Sequence, residues 1–180
     1  MITLDERSMA LAPYDREAAV RYAHRWAYGR NPAFYDYEKI GGDCTNFASQ
    51  CVYAGSGVMN YEPTFGWYYI DANNKAPAWT GVEYFHNFMT RTKLTVGPVA
   101  VDSTIGQIMP GDVVQLSFDG KTWNHSPVVV ALRGRGRPSQ PADILIAAHS
   151  YDADNRPLNT YDYKAIRFIH FLGVRRAHQQ

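Results

Sequence analysis

The strongest constraint on this fold is a change of hydrophobic period near Gly97-Pro98. Before it, apolar residues recur at helical spacing. Ala19, Tyr22, Ala23, Trp26 and Ala27 predict a helix from Asp15 that ends by Gly29 and Asn31-Pro32. Thr80-Gly81-Val82-Glu83 has the spacing of a capping box, with Val82, Phe85 and Met89 on one face behind it. Beyond Gly97-Pro98 the residues alternate or run continuously apolar, and Val113–Phe118, Lys121–Leu132, Asp143–His149 and Ala165–Val174 read as strands. Pro110-Gly111-Asp112 is a turn, and Asp119-Gly120 is a hairpin signal. Helices followed by an antiparallel meander predict an α+β fold, N-terminal helices packed on a C-terminal antiparallel β-sheet. Residues 1–13 read as a flexible leader and 14–176 as one domain.

Within the helical half, Gly41-Gly42-Asp43-Cys44-Thr45-Asn46 prepares a reactive residue. The glycines allow a sharp approach, Asp43 is placed to cap a helix, and Gly55 is its expected stop. Cys44 then falls in the first turn, where the positive helix end favours a thiolate. Cys51 lies two turns on, about 10 Å along the axis, too far for a disulfide with Cys44. It reads as a small apolar core residue.

Composition removes several function classes. The net charge is +1 and no apolar run is long enough for a membrane span, so neither nucleic-acid binding nor a membrane span is expected. The Arg133-Gly134-Arg135-Gly136-Arg137 run reads as a solvated hairpin tip. The polar start Met1–Arg7 has no apolar signal core. The expectation is a cytoplasmic protein if the chain is complete, and a secreted or cell-wall protein if it is a processed fragment. Aromatic content is 14%. The aromatic stretch over 56–79, with Trp67 and Tyr68, and Trp123 further on, are candidates to wall a cleft.

A cysteine nucleophile needs an imidazole to take and return its proton, and the imidazole needs a polar partner. His125 precedes a buried strand run and His149 ends the neighbouring one. A hairpin centred on Arg137 would set them opposite each other, with Cβ atoms about 5 Å apart. His125 is then the base and His149 its orienter, with Asp152 and Asp154 as alternative orienters. His125, His149 and Asp152 would also suit zinc, but no HExxH or CxxC accompanies them and Cys44 would be idle. No metal or cofactor is expected.

These residues resemble the putative amidase domain family. The resemblance rests on Gly41-Gly42-Asp43-Cys44-Thr45-Asn46-Phe47-Ala48-Ser49-Gln50, Pro110-Gly111-Asp112-Val113-Val114-Gln115, Asn124-His125-Ser126 and Ala148-His149-Ser150-Tyr151-Asp152. It implies a compact papain-like fold similar to NlpC-type and CHAP peptidases, with Cys44 as nucleophile, His125 as general base and acid, and His149 as orienter. The Cys44 N–H, helped by a side chain near Asp43, would form the oxyanion hole. The expected function is metal-independent hydrolysis of a peptide or small amide through an acyl-enzyme. The alternatives are acyl transfer by the same residues and a catalytically idle peptide-binding module.

Overall fold

A computed structural model describes residues 11–177. The element order is α1 (Arg16–Trp26), α2 (Cys44–Ser56), a small hairpin of β1 (Tyr69–Asp71) and β2 (Asn74–Lys75), α3 (Pro77–Thr80) and α4 (Val82–Met89). The strands β3 (Gly97–Ser103), β4 (Val113–Ser117), β5 (Val128–Leu132), β6 (Ile144–Ala148), β7 (Ala153–Pro157) and β8 (Ala165–Arg175) follow. These last six form one antiparallel sheet in the order β3-β8-β4-β5-β6-β7.

Period-two alternation gives the sheet two buried faces. Val113, Val128, Val130, Ala147 and Ile169 join Phe47, Ala48, Cys51 and Val52 under the helices. Val114, Val129, Ile144, Ile146 and Ala148 face away, toward Ile108 and Leu158. The helical layer is held by close approach. Asp15 caps α1 by accepting from the Ala18 N–H at 2.9 Å, and its own N–H donates to Gly55 O at 2.9 Å. A Cβ on Gly55 would come within 2.5 Å of Tyr14 Cε2 and 2.8 Å of Asp15 O. Gly55 is therefore an interior contact glycine and not the expected stop. Gly57, at φ 70°, ends the helix in the left-handed conformation.

Other expectations need correction. The Thr80–Glu83 capping box does not form, because Thr80 closes α3 and Gly81 is the N-cap of α4. The strand expected over Lys121–Leu132 is ordered as a strand only from Val128, since Pro127 has no N–H for a ladder. Before it, His125 makes only an isolated bridge with Leu116. The leader expected over 1–13 lies mostly outside the described residues. Within them, Ala12 exchanges both backbone hydrogen bonds with Val174 at 2.8 Å. The Pro110-Gly111-Asp112 turn is fixed by Asp112, which is fully buried. Its carboxylate takes Arg16 Nη1 at 2.8 Å, the Met109 N–H at 2.9 Å, the Phe171 N–H at 2.9 Å and His170 Nδ1 at 2.8 Å. That one side chain ties α1 to β8.

Candidate active site

Gly41 and Gly42 adopt φ 93° and 101°, values that a side chain would strain, and turn the chain into α2. Cys44 is the first helical residue and is 8% exposed. Its surroundings are polar. Sγ lies 3.7 Å from Thr45 Oγ1 and 3.8 Å from the Asn124 carbonyl, and the Ser126 N–H donates toward it. The sulfur thus touches backbone on both sides of His125. Cys51 is fully enclosed in the helical core, as expected.

Sequence reasoning missed the network that holds this arrangement. Thr45 Oγ1 meets Ser126 Oγ at 3.0 Å, and Gln115 Nε2 donates to Ser126 Oγ at 3.1 Å. Arg167 donates to Gln115 Oε1 from Nη2 at 2.6 Å. A buried polar chain therefore runs from β8 through β4 to the start of α2. Only Gln115 carried a signal, as a polar residue inside an apolar strand.

The surroundings of Cys44 work against the expected thiolate. Burial pushes the Cys44 thiol up and the Asp43 carboxylate adds to it, outweighing the hydrogen bonds from Thr45 and Ser126. A helix terminus supplies about 0.3–1 kcal/mol, under one pKa unit. Burial shifts a group by several units. His125 is 5% exposed, and burial, helped by the nearby Arg156 cation, lowers its pKa from 6.5 to about 4. A neutral thiol and a neutral imidazole face the site together.

That depression predicts a pH dependence of stability. Between pH 6.5 and about 4 the unfolded chain carries a proton on this ring and the folded one does not. Acid therefore favours unfolding throughout that window, and stability returns as pH rises through 6.5. The loss is about 3 kcal/mol from pH 7 to pH 4. Urea denaturation of native protein and His125→Asn at the two pH values should show the native chain losing about that much more. An equal loss in both would refute the assignment.

His149 does not orient His125. The hairpin closes about Pro138, with Leu132 opposite Ile144, and a bulge between Val129 and Ala131 then sets Val128 opposite Ala147, one residue out of the expected register, so the ladder's line carries His125 toward Ser150. A one-residue slip reverses the faces. His149 stacks on Phe47 at 4.0 Å in the helical layer, whereas His125 lies 5.4 Å from the ring of Tyr161, which packs on the other cluster. His149 Nδ1 bonds Asp43 Oδ2 at 2.6 Å, and Nε2 lies 2.8 Å from Trp26 O. Arg30 Nη1 also approaches Nε2, at 3.2 Å.

Asp43 likewise departs from its expected part. Its carboxylate makes no helix cap. Instead it accepts from the Tyr37 N–H at 2.9 Å and Asn46 Nδ2 at 2.8 Å, besides His149. The alternative orienters are engaged elsewhere: Asp152 pairs with Arg30 at 2.9 Å and Asp154 with His24 at 2.8 Å. Among the described residues no three His, Cys, Asp or Glu side chains gather to hold a metal. The side chain that does reach His125 is Tyr161, whose hydroxyl is 3.4 Å from Nε2. Nothing in the sequence separates it from twelve other tyrosines.

Of the aromatics expected in a cleft, Trp67 is fully buried between Trp79 and Phe88 and donates to Ser49 Oγ at 3.0 Å. Tyr68 packs on Tyr61 at 5.7 Å. Trp123 lies one residue before Asn124 and under the Arg167 guanidinium at 4.2 Å. Past His149, Ser150 and Tyr151 are left-handed, φ 60° and 64°, as a mirror-image hairpin turn requires. Ser150 Oγ accepts from the Asp43 N–H at 3.0 Å, and Tyr151 stands 90% exposed.

A family model described as "Putative amidase domain" matches residues 13–172. Among curated proteins, the chain is similar to "Uncharacterized protein YhbB" of Bacillus subtilis (strain 168), 34% identical over 146 residues. The match covers 79% of this chain and 43% of that protein, so the chain spans less than half of its relative's length. No solved structure matches the chain.

Proposed function

Because the chain belongs to the putative amidase domain family, whose description suggests a hydrolase acting on amides, we propose that it is a cysteine amidase or peptidase of the compact papain-like kind. One observation carries this reading. The sulfur at the head of α2 is seated against the backbone on both sides of His125, among polar groups and outside the two apolar clusters.

His125 Nε2 faces the Tyr161 hydroxyl, which leaves Nδ1 for the thiol. Among the described residues no hydrogen bond joins Sγ to the ring, and such contacts commonly tighten only once substrate is bound. As Sγ attacks the amide carbon, the thiol proton passes to His125 and the carbonyl electrons move to oxygen. The oxyanion is received by the N–H groups that open α2, including that of Cys44, which Asp43 leaves uncapped. The intermediate collapses, the C–N bond breaks, and the amine departs with the proton from His125. Water then attacks the thioester and gives its proton to His125. The C–S bond breaks, and the thiol recovers the proton as the acid leaves. Tyr161 holds the ring, a positioning role.

The test is a covalent trap. Small peptide amides and peptidoglycan fragments, quenched in acid during turnover, should leave an acyl mass on the peptide containing Cys44 and none on Cys51. Amine release with no thioester on Cys44 would overturn the mechanism.

A further inference from the structure

Arg156 is a cation without an anion. Arg16, Arg30 and Arg167 meet Asp112, Asp152 and Glu83 at 2.8, 2.9 and 3.3 Å. No carboxylate lies within ion-pair distance of Arg156 among the described residues. Arg91 lacks one too, but its donors are spent on Thr95, Phe88, Pro98 and Val96. Arg156 Nε donates to Thr160 Oγ1 at 2.7 Å and Nη2 to Thr160 O at 3.1 Å, and the guanidinium also bears on the Tyr161 hydroxyl, but none of these partners is an anion.

Its position is fixed and close to the chemistry. Thr160 Oγ1 donates in turn to Pro157 O at 2.7 Å, and Arg156 Cζ lies 3.6 Å from the centre of the Tyr161 ring. The hydroxyl of that ring is 3.4 Å from His125 Nε2. One aromatic ring therefore separates the guanidinium from the base. Tyr161 is also near enough to Cys44 for the two to influence each other electrostatically. A half-buried arginine held in one geometry, its charge balanced by no carboxylate of the described protein, is suited to an anionic carboxylate.

We propose that Arg156 anchors a carboxylate of the substrate, so that the amide cut at Cys44 belongs to a peptide with a free acidic group close to the scissile bond. This rests on Cys44 being the nucleophile, and it narrows the substrate class: neutral amides of the same shape are poor substrates. A purely structural Arg156, shoring up Tyr161, would treat acidic and neutral ligands alike.

Iodoacetylglycine and iodoacetylglycinamide separate these cases on the full chain. Each alkylates a thiol, forming a C–S bond and releasing iodide and a proton, and they differ only in the carboxylate. The rate ratio, acid over amide, is measured on Cys44 by mass spectrometry and compared with glutathione. The expected ratio is about tenfold or more above that of glutathione, from a charge-assisted hydrogen bond. It should fall to the glutathione value in Arg156→Gln. Raising salt from 20 mM to 1 M on native protein should lower it too, a readout that needs no variant. A native ratio equal to that of glutathione, or a variant in which both rates change alike, would overturn the carboxylate anchor and leave the nucleophile standing. Failure of the amide reagent itself to reach Cys44 would remove the nucleophile and the anchor together.

Discussion

Cys44→Ala is expected to lower kcat/KM by at least about ten-thousandfold, to the level left by substrate binding and oxyanion contacts alone. The fold should survive. The sulfur's contacts are weak, at 3.7 and 3.8 Å, and the side chain fills little of the core. Cys51→Ala is the counterpart. That residue is fully enclosed, so its loss should cost about 1 kcal/mol of stability and leave turnover intact. Amine release on a common substrate, paired with urea denaturation of each variant, gives both readings. Activity retained in Cys44→Ala would remove the cysteine from the mechanism, whatever the family.

The second large effect is structural. Asp43→Ala should destabilise the protein by about 3–5 kcal/mol, the cost of leaving several buried hydrogen-bonding groups without their acceptor. His149, the Tyr37 N–H and the Asn46 amide all lose their acceptor, at a site where Asp43 and His149 are each about 1% exposed. Asp152→Ala is the control: it also touches Arg30, but from a partly exposed position, and should stay within about 1 kcal/mol. Equal losses in the two variants would mean that the Asp43–His149 pair has no special weight. Since Asp43 adjoins Cys44, its removal should also slow turnover by loosening the entry to α2.

These effects show what could be read from the residues alone. The helix bearing Cys44 was legible because a glycine pair and an acidic residue announce a helix start locally. The antiparallel sheet was legible from its period. The partner of His125 was not, because it depends on a register that the hairpin's centre and a bulge together set one residue off the counted one. Asp43 looked like a cap for the same local reasons that made the helix visible. Its true partners, Tyr37 and His149, come from a turn before it and from β6's end, and only tertiary structure brings them to the carboxylate. Tyr161 follows a short helical turn after β7, a strand that the sequence did not signal, since Ala153–Pro157 has no apolar alternation. Trp67 shows the converse: an aromatic loop with no period was core, because its rings fill the space between α2 and α4.

The placement of β8 between β3 and β4 bears on how the protein is made. Synthesis delivers α2 and its cysteine early, but the strand that joins the two parts of the sheet is the domain's last. Until β8 has left the ribosome, β3 and β4 have no common neighbour, and β3 has no strand of the sheet to pair with. A nascent chain therefore carries its sheet in two parts, and these join in one late step. Such closure of distant segments is slow. Pulse-labelled chains should pass through a protease-sensitive stage that ends only when the final strand inserts.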